Sequence, residues 1–239
     1  MRILISMHAS IEPAALFASE LEKAGFAFDI VQVKHEPMPD TLDGYAGMLV
    51  MGGPQSANDD LPYIRAEQKL LQEAIGKEMP VLGICLGAQM LAKVAGGTVY
   101  RSPRPEHGWF TISRTDAALS DPLFSAMESE MPIFQWHGET FTLPEGAVLL
   151  ATNPEVPHQA FRIGSNQYGL QFHAEVSEAV IRRWIEHGSD DLAYLPTDAG
   201  ERMLAEARDK LPVINTFCCR LTAAWAILVR NYVLRKIAK

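Results

Sequence analysis

The sequence predicts an α/β fold on a largely parallel sheet, and three observations predict it. Short apolar runs alternate with amphipathic helical stretches over the first hundred residues, the pattern of βαβ units. One run, residues 80–84, is apolar throughout, as a strand covered on both faces must be. That run meets a glycine-flanked cysteine and then a helical stretch. A reactive side chain is thereby placed at the carboxyl end of a strand, where ligands sit in such sheets.

Residues 2–7 read as the first buried strand. Residues 12–24 are helical by the spacing of Ala15, Leu16, Ala18 and Leu21, and Gly25 ends them. A second strand covers 27–33, Pro37 and Pro39 mark a loop, and a third strand covers 47–51 and runs straight into Gly52-Gly53-Pro54. Residues 62–76 form an amphipathic helix. The 80–84 strand follows, then a helix over 86–95 closed by Gly96 and Gly97. Beyond Gly97 the texture changes. The runs W-F-T-I-S, I-F-Q-W-H-G, A-V-L-L-A-T and Q-A-F-R-I predict β-hairpin or mixed-sheet structure packed on the parallel core. Residues 168–173 give another apolar strand ending in H-A-E, and 178–186 a helix. A turn at 188–191 precedes a helix over 197–211, stopped by Pro212, and a last long helix over 215–239. Residues 1–187 form one expected domain, and 188–239 a helical extension packed on that domain or on a dimer partner.

Composition sets outer bounds. At 239 residues and 48% hydrophobic, the chain holds ample material for one sizeable core. A net charge of −8 argues against a general nucleic-acid or anionic-membrane surface. Three cysteines, Cys85, Cys218 and Cys219, make no disulfide framework, which points to a reducing cytoplasm. The apolar start M-R-I-L-I-S-M-H is too short for a signal peptide, and the apolar run 223–229 too short to span a membrane. The last helix carries Arg220, Arg230, Arg235, Lys236 and Lys239 without acids, which suits packing with basic residues near its C-terminal end.

The chemistry centres on Cys85. G-I-C-L-G is the thiol version of the nucleophile elbow, a crowded strand-to-helix turn in which the flanking Gly83 and Gly87 leave room. The helix N-terminus behind the sulfur favours a thiolate. His173 and Glu175 stand two residues apart, so on a strand both side chains reach one crevice. An imidazole serves a thiol as base and then as acid, and a carboxylate beside it fixes its tautomer. Spacing alone weighs equally a His and Glu that face solvent at a strand end.

P-V-L-G-I-C-L-G-A-Q and Y-G-L-Q-F-H-A-E together resemble the two signatures of class I glutamine amidotransferases, and M-G-G-P-Q-S resembles that family's oxyanion strand end. The likeness covers roughly residues 1–187 and is nearest to the amidotransferase domain of GMP synthase and its stand-alone relatives. It implies a flavodoxin-like α/β sandwich with a Cys-His-Glu triad and no resident cofactor or metal. It makes Cys85 the nucleophile, His173 the general base and acid, and Glu175 the orienting carboxylate. The N–H groups of Gly53 and Leu86 match the oxyanion hole. Gly52, Gln89 and the Q-W-H-G-E loop, with Trp136, His137 and Gly138, match substrate-binding positions; for Trp136 simple packing is an equal reading.

Two departures stand out. Ala174 replaces a frequent Pro, and Leu86 follows the cysteine where DJ-1/PfpI proteins place His. Past residue 187 no P-loop or synthetase motif appears, so the ammonia acceptor, and any synthetase partner, is expected elsewhere. Three functions remain open: hydrolysis of the glutamine γ-amide, hydrolysis of another γ-glutamyl compound, or service as a partner-activated subunit. His8, His35, His107, His137, His158 and His187 show no metal-ligand spacing and read as packing or surface residues, with His107 in a turn edging the pocket. Arg101, Arg104 and Glu106 read as a solvated loop, and Cys218-Cys219 as two core or interface thiols.

Overall fold

The computed structural model describes residues 1–188 and 191–238. In chain order it runs β1 (Arg2–Met7), α1 (Ala15–Lys23), β2 (Ala27–Gln32), β3 (Tyr45–Val50), α2 (Pro62–Gly76), β4 (Val81–Ile84), α3 (Leu86–Val94) and β5 (Val99–Arg114). A short 3₁₀ turn, Asp116–Ser120, leads to β6 (Glu130–Phe141), β7 (Val148–Thr152), β8 (Ala160–Ile163), β9 (Gln167–Leu170), α4 (Glu178–His187) and α5 (Ala199–Ile237).

All nine strands join one sheet in the order β2-β1-β3-β4-β9-β8-β7-β5-β6. From β2 to β9 neighbours pair in parallel; from β9 to β6 they pair antiparallel. The hairpin strands therefore extend the parallel sheet edge to edge. The inner strands β3 and β4 are buried almost throughout, which is why they read as unbroken apolar runs. Alternate side chains divide between two cores. Ile3, Ile5, Leu49 and Leu82 pack toward α1, α4 and α5, while Leu4, Met48, Val50 and Val81 pack toward α2 and α3. The result is a three-layer α/β/α sandwich, with the mixed, helix-flanked sheet that the sequence predicts.

Four expectations change. α1 begins at Ala15 rather than residue 12, because Pro13 sits in the turn before it and leaves Glu12 outside the helix. β9 ends at Leu170 rather than 173. The chain then leaves β8 and crosses to β6, where the His173 N–H donates to the Phe134 carbonyl at 2.9 Å. The two C-terminal helices are one, since α5 continues through Pro212. A proline inside a helix removes a hydrogen bond at a cost of about 3 kcal/mol. Packing on both sides of the proline, by Met203 and Ala207 before it and Ile214, Phe217, Cys218 and Leu221 after it, holds the helix together. Finally, Glu106 is buried, as described below. The turn expected at 188–191 falls partly on residues 189–190, outside the described residues.

At 39 residues α5 runs about 58 Å. By length and composition a window of it is apolar enough to cross a membrane. In the fold its apolar stripe faces the protein: Trp225 and Val229 cover Gly47 of β3, Phe217 packs edge-on against Phe124, and Trp109 donates to the Met203 carbonyl at 2.9 Å.

Candidate active site

Cys85 is the joint between β4 and α3. Its backbone takes φ 49° and ψ −105°, a left-handed conformation rare outside glycine. Two hydrogen bonds clamp it there: its N–H donates to the Leu170 carbonyl at 2.7 Å, and its own carbonyl accepts from the Gln89 N–H at 3.0 Å. The flanking glycines are required by space. A Cβ on Gly83 would lie 2.6 Å from the Gly87 carbonyl, and one on Gly87 would collide with the Val50 carbonyl of β3. The thiol is almost wholly buried, with the Trp136 carbonyl 3.8 Å and the Gln171 amide nitrogen 3.7 Å from Sγ.

Two N–H groups near the elbow in the chain or in the crevice have no protein acceptor among the described residues. Leu86 supplies the first N–H of α3, which no helix can satisfy internally, and Gly53 supplies the other at the end of β3.

His173 reaches the same place from the crossing after β9. Its Nδ1 lies 2.7 Å from Glu175 Oε1, which leaves Nε2 as the nitrogen not engaged by Glu175. The ring packs edge-on against Trp184, with centroids 4.7 Å apart, and Trp184 is anchored to the Ile11 carbonyl at 2.8 Å. Burial alone would push the imidazole toward its neutral form. The Glu175 carboxylate and Cys85 outweigh that and hold its pKa well above the ordinary range. Gly52 lies beside both side chains: a Cβ there would stand 3.0 Å from His173 Cε1 and 3.5 Å from Cys85 Cβ, and would strike the Glu12 carboxylate. His173 and Glu175 thus share a site through an irregular turn, where strand alternation had been the expected device.

Gly53, Cys85, Gln89, Trp136, His137, Gly138 and His173 line one crevice of about 690 Å³. Gly52 and Leu86 are buried and do not line it, and Glu175 backs His173. Gln89 spends its amide N–H groups on the Glu139 carbonyl at 3.0 Å and the Gln171 oxygen at 3.3 Å, so its carbonyl oxygen is what it can offer a ligand. Trp136 serves packing as well as the crevice. Its ring stacks with Phe134 and meets Trp184 edge-on, and its Nε1 lies 3.2 Å from Asp191.

A scan of family models matches residues 10–185 to the class-I glutamine amidotransferases. The chain belongs to the class-I glutamine amidotransferase family. It is 32% identical over 214 residues to the glutamine amidotransferase-like protein YfeJ of Salmonella typhimurium, covering 87% of this chain and 90% of that protein. It is 38% identical over 147 residues to the GMP synthase of Porphyromonas gingivalis, covering 59% of this chain but only 27% of the synthase, so it spans about a quarter of that relative. Among solved structures, a glutamine amidotransferase of Thermotoga maritima superposes with a TM-score of 0.85 at 31% identity, covering 95% of this chain and 98% of that one.

In this amidotransferase-family chain several further residues at the site escape sequence reasoning. Glu12, expected on α1, lines the crevice beside Gly52; burial, against the pull of His173 and His8, raises its carboxyl pKa. Glu106, expected in a solvated loop, is buried under the Trp136–Gly138 segment. It accepts from Asn153 at 2.7 Å and Gln159 at 2.9 Å and meets His137 Nε2 at 3.0 Å. The other ring nitrogen of His137 faces the Glu139 carbonyl at 3.0 Å, so this imidazole has no nitrogen left for a ligand and serves to shape the loop. His107 does edge the crevice, with Nδ1 3.0 Å from the Tyr194 hydroxyl, and burial pushes its pKa down to about 4. Cys218 and Cys219 are free thiols, the first buried in the core. The signal available for Glu12 was its place just after the carboxyl end of β1. For Glu106 it was its register opposite His137 across the β5–β6 irregularity, which only the pairing reveals.

Proposed function

We propose that this chain hydrolyses the γ-amide of glutamine through a cysteinyl thioester and releases ammonia. One observation carries the reading: Cys85, held in a strained elbow, shares a crevice with the Glu175-backed His173 and with Gly53, whose N–H has no protein acceptor among the described residues. Cys85 Sγ attacks the γ-carbonyl carbon, and the carbonyl oxygen, now anionic, is received by the N–H groups of Gly53 and Leu86. His173 carries the thiol proton to the departing amide nitrogen, which leaves as ammonia. Water then adds to the thioester with His173 as base, and glutamate and the free thiol are regenerated. The raised pKa of His173 suits it to hold a proton and deliver it to the leaving nitrogen. Gln89 and the main chain of Trp136–Gly138 hold the amino-acid end of the substrate.

The size of the crevice favours a second reading, hydrolysis of a larger γ-glutamyl amide. Its volume is in the roughly 300–1,000 Å³ range that takes drug-sized ligands, more than one amino acid fills. The deciding experiment measures glutamate release from L-glutamine and from γ-glutamyl amides, with Cys85→Ser alongside. Release that vanishes in the variant supports the thioester route, and the ratio of kcat/KM values assigns the leaving group. A Cys85→Ser protein that keeps full activity refutes it.

A further inference from the structure

A buried, hydrogen-bonded histidine–glutamate pair outside the triad stands behind the Gly52–Gly53 peptide. His8 follows β1, and its side chain and that of Glu67 are fully excluded from solvent. His8 Nδ1 lies 3.1 Å from the Gly52 carbonyl oxygen, and Nε2 lies 2.7 Å from Glu67 Oε2. A carbonyl oxygen only accepts, so Nδ1 carries a proton and donates it to Gly52. Glu67 sits in the middle of the buried stripe of α2, between Ile64 and Leu71, where an apolar residue is expected, and its other carboxyl oxygen has no partner. A carboxyl group in that position costs free energy unless it is paired, and its hydrogen bond is to His8.

We infer that His8, held by Glu67, is a positioning residue that fixes the Gly52–Gly53 peptide with the Gly53 N–H turned into the crevice. This rests on the proposed thioester chemistry. In a trans peptide the C=O of one residue and the N–H of the next point in opposite directions. Pinning the Gly52 oxygen toward His8 therefore turns the Gly53 N–H away from His8. Gly53 lines the crevice, and its N–H has no protein acceptor among the described residues. Two consecutive glycines would otherwise let this peptide rotate at little cost. A rotated peptide puts a carbonyl oxygen where the developing oxyanion must sit, exchanging a donor for a repulsive acceptor. The ring also fills the space under the loop, since a Cβ on Gly53 would lie 2.9 Å from His8 Cγ.

The test separates acyl transfer from simple thiol reactivity. Turnover of L-glutamine and a γ-glutamyl amide is measured for wild type, His8→Leu, His8→Asn and Glu67→Leu. In parallel, the alkylation rate of Cys85 by iodoacetamide is read from its own peptide by mass spectrometry. Alkylation is a displacement at carbon that builds no oxyanion. His8→Leu is expected to lose roughly 10²- to 10³-fold in kcat, the cost of one oxyanion donor, with KM and the Cys85 alkylation rate little changed. His8→Asn places an amide N–H near the position of Nδ1 and recovers much of the loss. If His8→Leu does not fold, Glu67→Leu carries the test, because leucine suits the α2 stripe; it lowers kcat and leaves alkylation intact. Full kcat in His8→Leu or Glu67→Leu overturns the inference, as does alkylation that falls in step with kcat, or His8→Asn no better than His8→Leu. A wild-type chain that forms no thioester with either substrate overturns the underlying reading instead, and shows it without any substitution.

Discussion

The strain at Cys85 makes a prediction about stability that departs from the usual one. A non-glycine residue in a sparsely populated backbone region costs about 1–3 kcal/mol. Cys85, at φ 49° and ψ −105°, is such a residue, and Cys85→Ala keeps the strain because it keeps Cβ. Cys85→Gly removes it. Against this gain stand the extra freedom of glycine in the unfolded chain, about 0.5–1 kcal/mol, and one lost buried methyl, about 0.8 kcal/mol. An ordinary buried alanine-to-glycine change therefore destabilises by about 1.5 kcal/mol; at position 85 the released strain offsets most or more of that loss. Ala88, fully buried one turn into α3, supplies the internal control. Chemical denaturation of Cys85→Ala, Cys85→Gly and Ala88→Gly should place Cys85→Gly between about 0.5 kcal/mol below and about 1.5 kcal/mol above Cys85→Ala. Ala88→Gly should fall below wild type. Near 2–4 °C per kcal/mol for a chain of this size, the contrast is also visible in thermal midpoints. A Cys85→Gly protein about 1.5 kcal/mol less stable than Cys85→Ala would refute the claim that the elbow stores strain.

Three further outcomes follow from the same geometry. Gly87→Ala puts a methyl into the Val50 carbonyl and should lower stability by at least the 1–3 kcal/mol typical of overpacking, read by urea unfolding; a neutral result would mean that β3 and α3 slide apart freely. Glu175→Gln removes the main force that raises the His173 pKa and leaves burial to push it down, so the alkaline limb of kcat/KM should move to lower pH. The linked stability follows: a raised histidine stabilises the fold below its unfolded pKa and loses that contribution as pH rises through the folded value. The gap between wild type and Glu175→Gln should therefore be widest in mild acid and close in alkali, and a pH-independent gap would count against it. Glu106→Gln weakens three buried hydrogen bonds, one to an imidazole; at about 1.5–3 kcal/mol for each charged one, it should destabilise the protein and raise KM more than it lowers kcat, because the loop over the crevice loosens while Cys85 and His173 stay in place.

Residues that break a local pattern mark how far the sequence could be read. The parallel core was legible because β3, β4 and the elbow obey simple rules: both faces buried, hence all apolar, and two glycines where Gly87 meets Val50 and Gly83 meets Gly87. Cys85, His173 and Glu175 were legible as motifs, although the turn that joins the last two is not the strand that spacing suggested. Glu12, His8 and Glu106 were not legible, because each acts through a partner far away in sequence: Gly52 for the first two, His137 for the third. Pro212 misled for the opposite reason, since a local helix breaker was overridden by tertiary packing along α5. Glu67 lies between these cases. The spacing Ile64, Glu67, Leu71, Ala74 is a complete apolar stripe with one acid in it. An acid in that register is answered by a polar group across the core, and His8, just past the end of β1, supplies it. The acid was legible as an exception in α2, but its partner His8 was not, since only the fold brings the two together. An acid in an otherwise perfect amphipathic pattern is evidence of a polar partner across the core.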